Sequence, residues 1–281
     1  MLQTDVTTSD SSFRGPHGLI PVRWYSPPRE SLVISPVPIV WVHGGGFVRG
    51  NLDLRETHEV ATALASDGFR VVTVDYRLAS KTGLLPRWLR RAGQPAHHYP
   101  VPVDDVVAVI SAVQRDAPAG VIVGGASAGA CLVAGAVLRL AADGGDALRG
   151  VFFAYGFFHA ALPKRALDLR RRLRGRRRYM HIPALLNLMH RNYAGTTAAL
   201  AEPFAFPGGH SLTGFPPALL IDADRDSMRA SGSVFASELE AASVPVEYHV
   251  VPETSHAFLN RPSEPGFAEG IQLISSWAKQ A

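Results

Sequence analysis

Gly125-Ala126-Ser127-Ala128-Gly129 follows a short apolar run, Val121-Ile122-Val123-Gly124, and precedes a stretch rich in Ala, Leu and Val. A strand that turns sharply into a helix around G-x-S-x-G presents its serine at the tip of the turn. The hydroxyl of Ser127 is then a candidate nucleophile. The amide of Ala128 sits at a helix start, where it can donate to a developing oxyanion. A second motif, His43-Gly44-Gly45-Gly46-Phe47, follows the apolar run Pro38-Ile39-Val40-Trp41-Val42. A glycine loop after an early strand brings backbone N–H groups close to a substrate with no Cβ in the way. Either motif alone could be an ordinary Gly-rich turn. Two of them, each behind a strand and in this order, argue against that.

A serine hydroxyl is a weak nucleophile at neutral pH and needs a neighbouring base. On such an elbow the serine comes first in the chain, then an acid, then a histidine. Downstream, Pro217-Ala218-Leu219-Leu220-Ile221 runs into three acids, Asp222, Asp224 and Asp226. The alternating stretch Val246-Glu247-Tyr248-His249-Val250-Val251 is followed by Pro252-Glu253-Thr254-Ser255-His256. His256 lies on the loop after that strand, where a general base belongs. His249 lies inside the strand and reads as structural.

With these motifs in place, the chain resembles the hormone-sensitive-lipase-like (bacterial family IV) esterases of the α/β-hydrolase superfamily. The resemblance runs from about Gly15 to the C-terminus. It rests on His43-Gly44-Gly45-Gly46-Phe47, Asp75-Tyr76-Arg77-Leu78-Ala79, Gly125-Ala126-Ser127-Ala128-Gly129, the segment from Pro217 to Asp226, and His256-Ala257-Phe258. The family's D-P-L-R-D run, laid on Asp226-Ser227-Met228-Arg229-Ala230, assigns the acid to Asp226, with Asp222 and Asp224 as the alternatives. Its second Asp is Ala230 here, and its H-G-F is H-A-F. The resemblance thus implies a serine carboxylesterase with Ser127, His256 and Asp226 as the triad. Gly45, Gly46 and Ala128 form the implied oxyanion hole. It implies esters of short or medium acyl chains as substrates, with no metal or other cofactor. No C-x-x-C or H-E-x-x-H spacing points to a metal either. Hydrolysis of an amide, formamide or lactone by the same triad is the enzymatic alternative. A non-catalytic small-molecule receptor on the same fold is an alternative of another class. The family also dimerises through its last strand and helix, which implies a homodimer.

These residues need a scaffold. Strand-like and helix-like stretches alternate throughout, as in a mostly parallel α/β sheet with helices on both faces. Strands are expected at 19–25, 37–42, 69–75, 120–124, 150–155, 217–222 and 245–251. Helices are expected at 57–66, 103–116, 128–142, 227–242 and 265–279. Residues 1–14 are polar and read as a disordered N-terminus, with one α/β domain over 15–281. Two stretches break the alternation. Residues 80–98 read as an extra loop, serving as a lid element or pocket wall, or as a surface excursion packed by its own apolar residues. Residues 156–213 occupy the place of the family's cap and read as a helical cap, with one helix at 182–194. With 42 residues before His43, the family's N-terminal cap segment is expected to be cut short or absent.

Composition narrows the class. Of 281 residues, 47% are hydrophobic and 19% charged, as in an ordinary soluble globular protein. The single Cys131 excludes an internal disulfide and reads as a small buried hydrophobe. The N-terminus lacks the basic start and apolar core of a secretory signal. No stretch offers the ~20 apolar residues of a bilayer span. A cytoplasmic protein is the expectation. Residues 164–178 carry nine Lys/Arg against one acid, Asp168. This run reads as a solvated cap helix, as an attractor of an anionic substrate or membrane surface, or as a nucleic-acid contact. Nothing else supports the last, and no nucleic-acid partner is expected.

Overall fold

A computed structural model describes residues 5–31, 34–79, 97–173 and 183–281. Among these residues eight strands form one sheet: β1 (Thr7–Gly15), β2 (Gly18–Ser26), β3 (Ile39–Val42), β4 (Val71–Val74), β5 (Ile122–Ala126), β6 (Gly150–Ala154), β7 (Ala218–Ala223) and β8 (Val246–Val251). Their order across the sheet is β1-β2-β4-β3-β5-β6-β7-β8. β1 and β2 pair antiparallel, as do β2 and β4. From β4 to β8 every pairing is parallel. The α-helices of the described residues are α1 (Arg55–Ser66), α2 (Val101–Arg115), α3 (Ala128–Ala142), α4 (Leu167–Arg172), α5 (Pro183–Ala194), α6 (Arg229–Ala241) and α7 (Pro265–Ala278).

The parallel strands are apolar on both faces because both are covered. Side chains alternate between two cores. Val40 and Val42 of β3 enter the core shared with α2, α3 and α6, as do Val123, Val151, Phe153 and Leu220. Ile39 and Trp41 point the other way with Ile122, Phe152, Leu219 and Ile221, against α1 and α7. Helix α3 is buried along most of its length, which explains why it is apolar all round.

The expected disorder of residues 1–14 is corrected over its second half. Residues 7–15 form β1, paired with β2 in register from Thr7 opposite Ser26 to Gly15 opposite Gly18. Its residues are nearly all exposed, so no alternation of apolar positions announced it. Backbone pairing holds it, aided by Arg23 donating to Asp10 at 2.6 and 3.0 Å and by Phe13 packing edge-on to Trp24.

Between β6 and β7 the chain makes α4, α5 and a short 3-10 turn, Ala198–Ala201. The Tyr193 ring of α5 stacks on Phe47, which directly follows the glycine loop, with centroids 3.9 Å apart. That stacking sets α5 over the end of β3. The extra loop at 80–98 and the second half of the basic run fall largely outside the described residues. No helix of the described residues is long and apolar enough to cross a membrane.

Candidate active site

All the segments with candidate chemistry emerge from the carboxyl ends of parallel strands, where open α/β sheets gather their sites. The glycine loop follows β3, Ser127 follows β5, Tyr155 follows β6, Asp226 follows β7 and His256 follows β8.

Ser127 links β5 to α3 at φ 50°, ψ −115°, outside the usual regions for a residue with a side chain. Such strain persists only where surroundings enforce it. Here the Ser127 N–H donates to Ala154 O at 2.9 Å, fixing the turn to the end of β6. Gly129 supplies the second constraint. A Cβ there would lie 2.3 Å from Val42 O and 2.4 Å from His43 O, so only glycine lets α3 start against β3.

The Ser127 hydroxyl lies 3.0 Å from His256 Nε2. His256 Nδ1 lies 2.6 Å from Asp226 Oδ2. A carboxylate can only accept, so Nδ1 carries the proton and donates to Asp226. Nε2 is then the bare nitrogen, ready to accept the serine proton. Asp226 is buried, and its other oxygen accepts the Met228 N–H at 3.0 Å. Burial pulls the His256 pKa down, but the charge and hydrogen bond of Asp226, with Glu56 in support, outweigh it. The net shift is upward from 6.5.

The other two acids go elsewhere. Asp222 is buried within β7 and accepts the Tyr248 hydroxyl at 3.0 Å. Burial, then the like charge of Asp226, holds its carboxyl well above the usual range. Asp224 faces Arg172 at 3.4 Å, Arg229 at 3.8 Å and Arg225 at 4.0 Å. His249 sits inside β8, with Glu247 at 3.6 Å.

Gly45 adopts φ 113°, and a Cβ there would fall 1.9 Å from Arg49 O. This turn carries Gly45 and Gly46 toward the serine, and Ala128 opens α3 just beyond it. A cavity of about 860 Å³ is lined by Gly45, Gly46, Ser127, His256, Met189 and Met228, among others. That is the size range of small-molecule sites.

Motif reasoning did not single out Glu56, Tyr155, Asn260 or Met189. Glu56 and Tyr155 are buried between the glycine loop and the histidine loop, and Met189 of α5 reaches within contact distance of Gly46. A lone Glu in an amphipathic helix and a Tyr ending a strand carry no sequence signal for such a role.

A hydroxyl, an imidazole and a carboxylate bonded in series, on a strand–turn–helix beside a glycine loop, define the class of serine-type hydrolases on an α/β scaffold. A family model for the alpha/beta hydrolase fold matches residues 39–85 and 89–260. The carboxylesterase NlhH of Mycobacterium tuberculosis is 31% identical over 257 residues, covering 86% of this chain and 72% of its own. Ethyl acetate hydrolase of Pseudomonas putida is 28% identical over 254 residues, covering 87% of this chain and 73% of its own. Brefeldin A esterase, a bacterial homologue of human hormone-sensitive lipase, superposes with a TM-score of 0.79 at 25% identity, covering 98% of this chain and 77% of that one. The chain belongs to the hormone-sensitive-lipase-like branch of the α/β-hydrolase family, and it is a carboxylic ester hydrolase.

Proposed function

We propose that the protein cleaves short- to medium-chain carboxylic esters through an acyl-enzyme on Ser127. The Ser127 oxygen attacks the ester carbonyl carbon while His256 Nε2 takes the hydroxyl proton. The carbonyl oxygen becomes an oxyanion facing the amides of Gly45, Gly46 and Ala128. Each such donor is worth about 3 kcal/mol in comparable sites. Collapse breaks the bond to the alcohol oxygen, which leaves with the proton from His256. Water then attacks the acyl-serine and gives one proton to His256, and the acid is released as His256 passes that proton to the serine oxygen. Asp226 holds the imidazole in one tautomer and stabilises its charged form.

The observation that carries this is the unbroken series Ser127 Oγ, His256, Asp226 opening into the cavity. The chain-length preference rests on the cavity's size, on the two methionines that bound it, and on the relative named for ethyl acetate. Residues 156–213 act as the cap in this reading, with α5 as the wall nearest the glycine loop. A homodimer through the exposed side of β8 and through α7 belongs to the same reading.

Ser127→Ala should lower kcat/KM for p-nitrophenyl butyrate by roughly 10⁴ to 10⁶ and leave the circular dichroism spectrum unchanged. Retained hydrolysis would remove Ser127 from the mechanism. Running matched anilides beside the esters tests the preference for ester over amide.

A further inference from the structure

Glu56, in the first turn of α1, takes no part in the steps above, yet it is buried beside them. Its Oε1 accepts the Gly44 N–H at 2.6 Å. Its Oε2 accepts the Tyr155 hydroxyl at 2.6 Å and the Asn260 side-chain amide at 3.0 Å. The Glu56 N–H donates back to Asn260 Oδ1 at 3.1 Å, and its carbonyl accepts Trp41 Nε1 at 2.9 Å. Every partner of the carboxylate is a donor, the arrangement that suits an ionised acid. Burial raises the Glu56 pKa above the usual carboxylate range, and the Tyr155 and Gly44 hydrogen bonds, which favour the ionised form, offset that rise only in part.

Each partner belongs to a different limb of the site. Gly44 immediately precedes the two glycines that face the oxyanion. Three successive glycines have no side chains to restrain them and are costly to order. Holding the Gly44 peptide from outside fixes the plane from which the Gly45 amide continues. Tyr155 ends β6, and its ring packs edge-on against His256 at 5.2 Å. Asn260 closes the 3-10 turn that follows His256.

We propose that Glu56 is a positioning residue for ester hydrolysis: its carboxylate ties the oxyanion loop to the histidine loop and supplies a second fixed negative charge that favours the His256 imidazolium. This rests on the mechanism proposed for Ser127. Among the described residues, the charged and titratable groups around His256 include Asp226 from the β7–α6 loop, Glu56 from α1, Tyr155 from β6 and Arg261 beyond the 3-10 turn Phe258–Asn260. Asp226 and Glu56 favour its charged form and Arg261 opposes it. Arg49, on the cavity wall, acts on Glu56 and favours its ionised form.

The test is the pH profile of p-nitrophenyl butyrate hydrolysis by Glu56→Gln, Glu56→Asp and Tyr155→Phe. Glu56→Gln should lower kcat about hundredfold with KM within about threefold, the signature of lost alignment. Its acid limb in kcat/KM should move down by about half a unit, because one attractive charge is gone. Glu56→Asp should restore the limb but not the rate. Tyr155→Phe keeps both the ring and the charge, so kcat should fall about tenfold with the limb in place. A Glu56→Gln enzyme with wild-type kcat, or with an unmoved limb, overturns the proposal. If Glu56→Gln does not fold, Tyr155→Phe decides, and an unchanged kcat there overturns it. A wild-type protein inert to esters and to a fluorophosphonate overturns the underlying mechanism and this proposal with it.

Discussion

The three acids within five residues, Asp222, Asp224 and Asp226, show how one side chain's direction decides a role. Asp222 is part of β7 and turns into the core toward Tyr248, whereas Asp226 lies beyond the strand, where the loop can face His256. Asn substitutions should separate them. Asp226→Asn presents an amide donor to Nδ1, inverts the tautomer and should lower kcat/KM about 10⁴-fold. Asp222→Asn and Asp224→Asn should stay within about tenfold. If either exceeds Asp226→Asn in a side-by-side assay, the acid has been misassigned. The raised His256 pKa gives a second expectation. In the proposed mechanism neutral imidazole is the base, so kcat/KM for a neutral ester should be half-maximal above pH 6.5. A limb at or below 6.5, at constant ionic strength, contradicts this. The same shift adds stability at pH below 6.5 that is lost as pH rises through the folded-state value.

Among the elements, the junction of β3, β5 and α3 carries the site. Gly129→Ala tests it, because the new Cβ would meet two backbone carbonyls that cannot rotate away. Helix α3 must retreat from β3, taking Ala128 away from the glycine loop. Overpacking of this kind costs about 1–3 kcal/mol. Urea unfolding should show that loss, and kcat/KM should fall at least about tenfold. A variant as stable and active as wild type would mean the junction gives freely. Strand β1 is the counter-example in legibility. Exposed polar residues from Thr7 to Ser12 form a strand because β2 offers a ladder, and backbone hydrogen bonds leave no trace in side-chain pattern.

For the whole molecule, the basic run is the feature whose meaning changes most with the fold in view. In its described part, Arg172 faces Asp224 and Glu253, and Asp168 meets Arg229 at 2.5 Å. Leu169 and Leu173 are buried against Ala230. None of residues 164–173 lines the cavity that holds Ser127. The described part of the run, up to Leu173, therefore docks against the loops around Asp224. Replacing Arg170, Arg171 and Arg172 with Gln should change kcat/KM for an anionic ester relative to a neutral one by less than about threefold. Half-exposed ion pairs of this kind contribute about 0–1 kcal/mol each, so the loss in stability should be small. A large fall confined to the anionic ester, relieved by salt, would show instead that the arginines steer substrate.

How much of this was legible follows from which interactions are local. Continuous apolar runs had to bury both faces of β3 to β7, so these strands and the helices between them could be read from the sequence, to within a residue or two at the ends. Glycines at 44–46, 125 and 129 marked the two sharp loops, because close backbone approach excludes a Cβ. Chain order then named Ser127 and His256 and narrowed the acid to three residues. The clamp at Glu56 was beyond that reach. Its partners Gly44, Tyr155 and Asn260 are scattered along the chain, and a carboxylate's worth there depends on donors that meet only once the sheet has closed. The basic run was likewise visible as charge but not as a contact, since charge is a property of residues whereas screening and pairing are properties of distance. Composition and spacing determined which residues could do the chemistry. Tertiary structure decided which atoms face one another, because hydrogen bonds and buried charges act over a few ångströms that sequence separation does not measure.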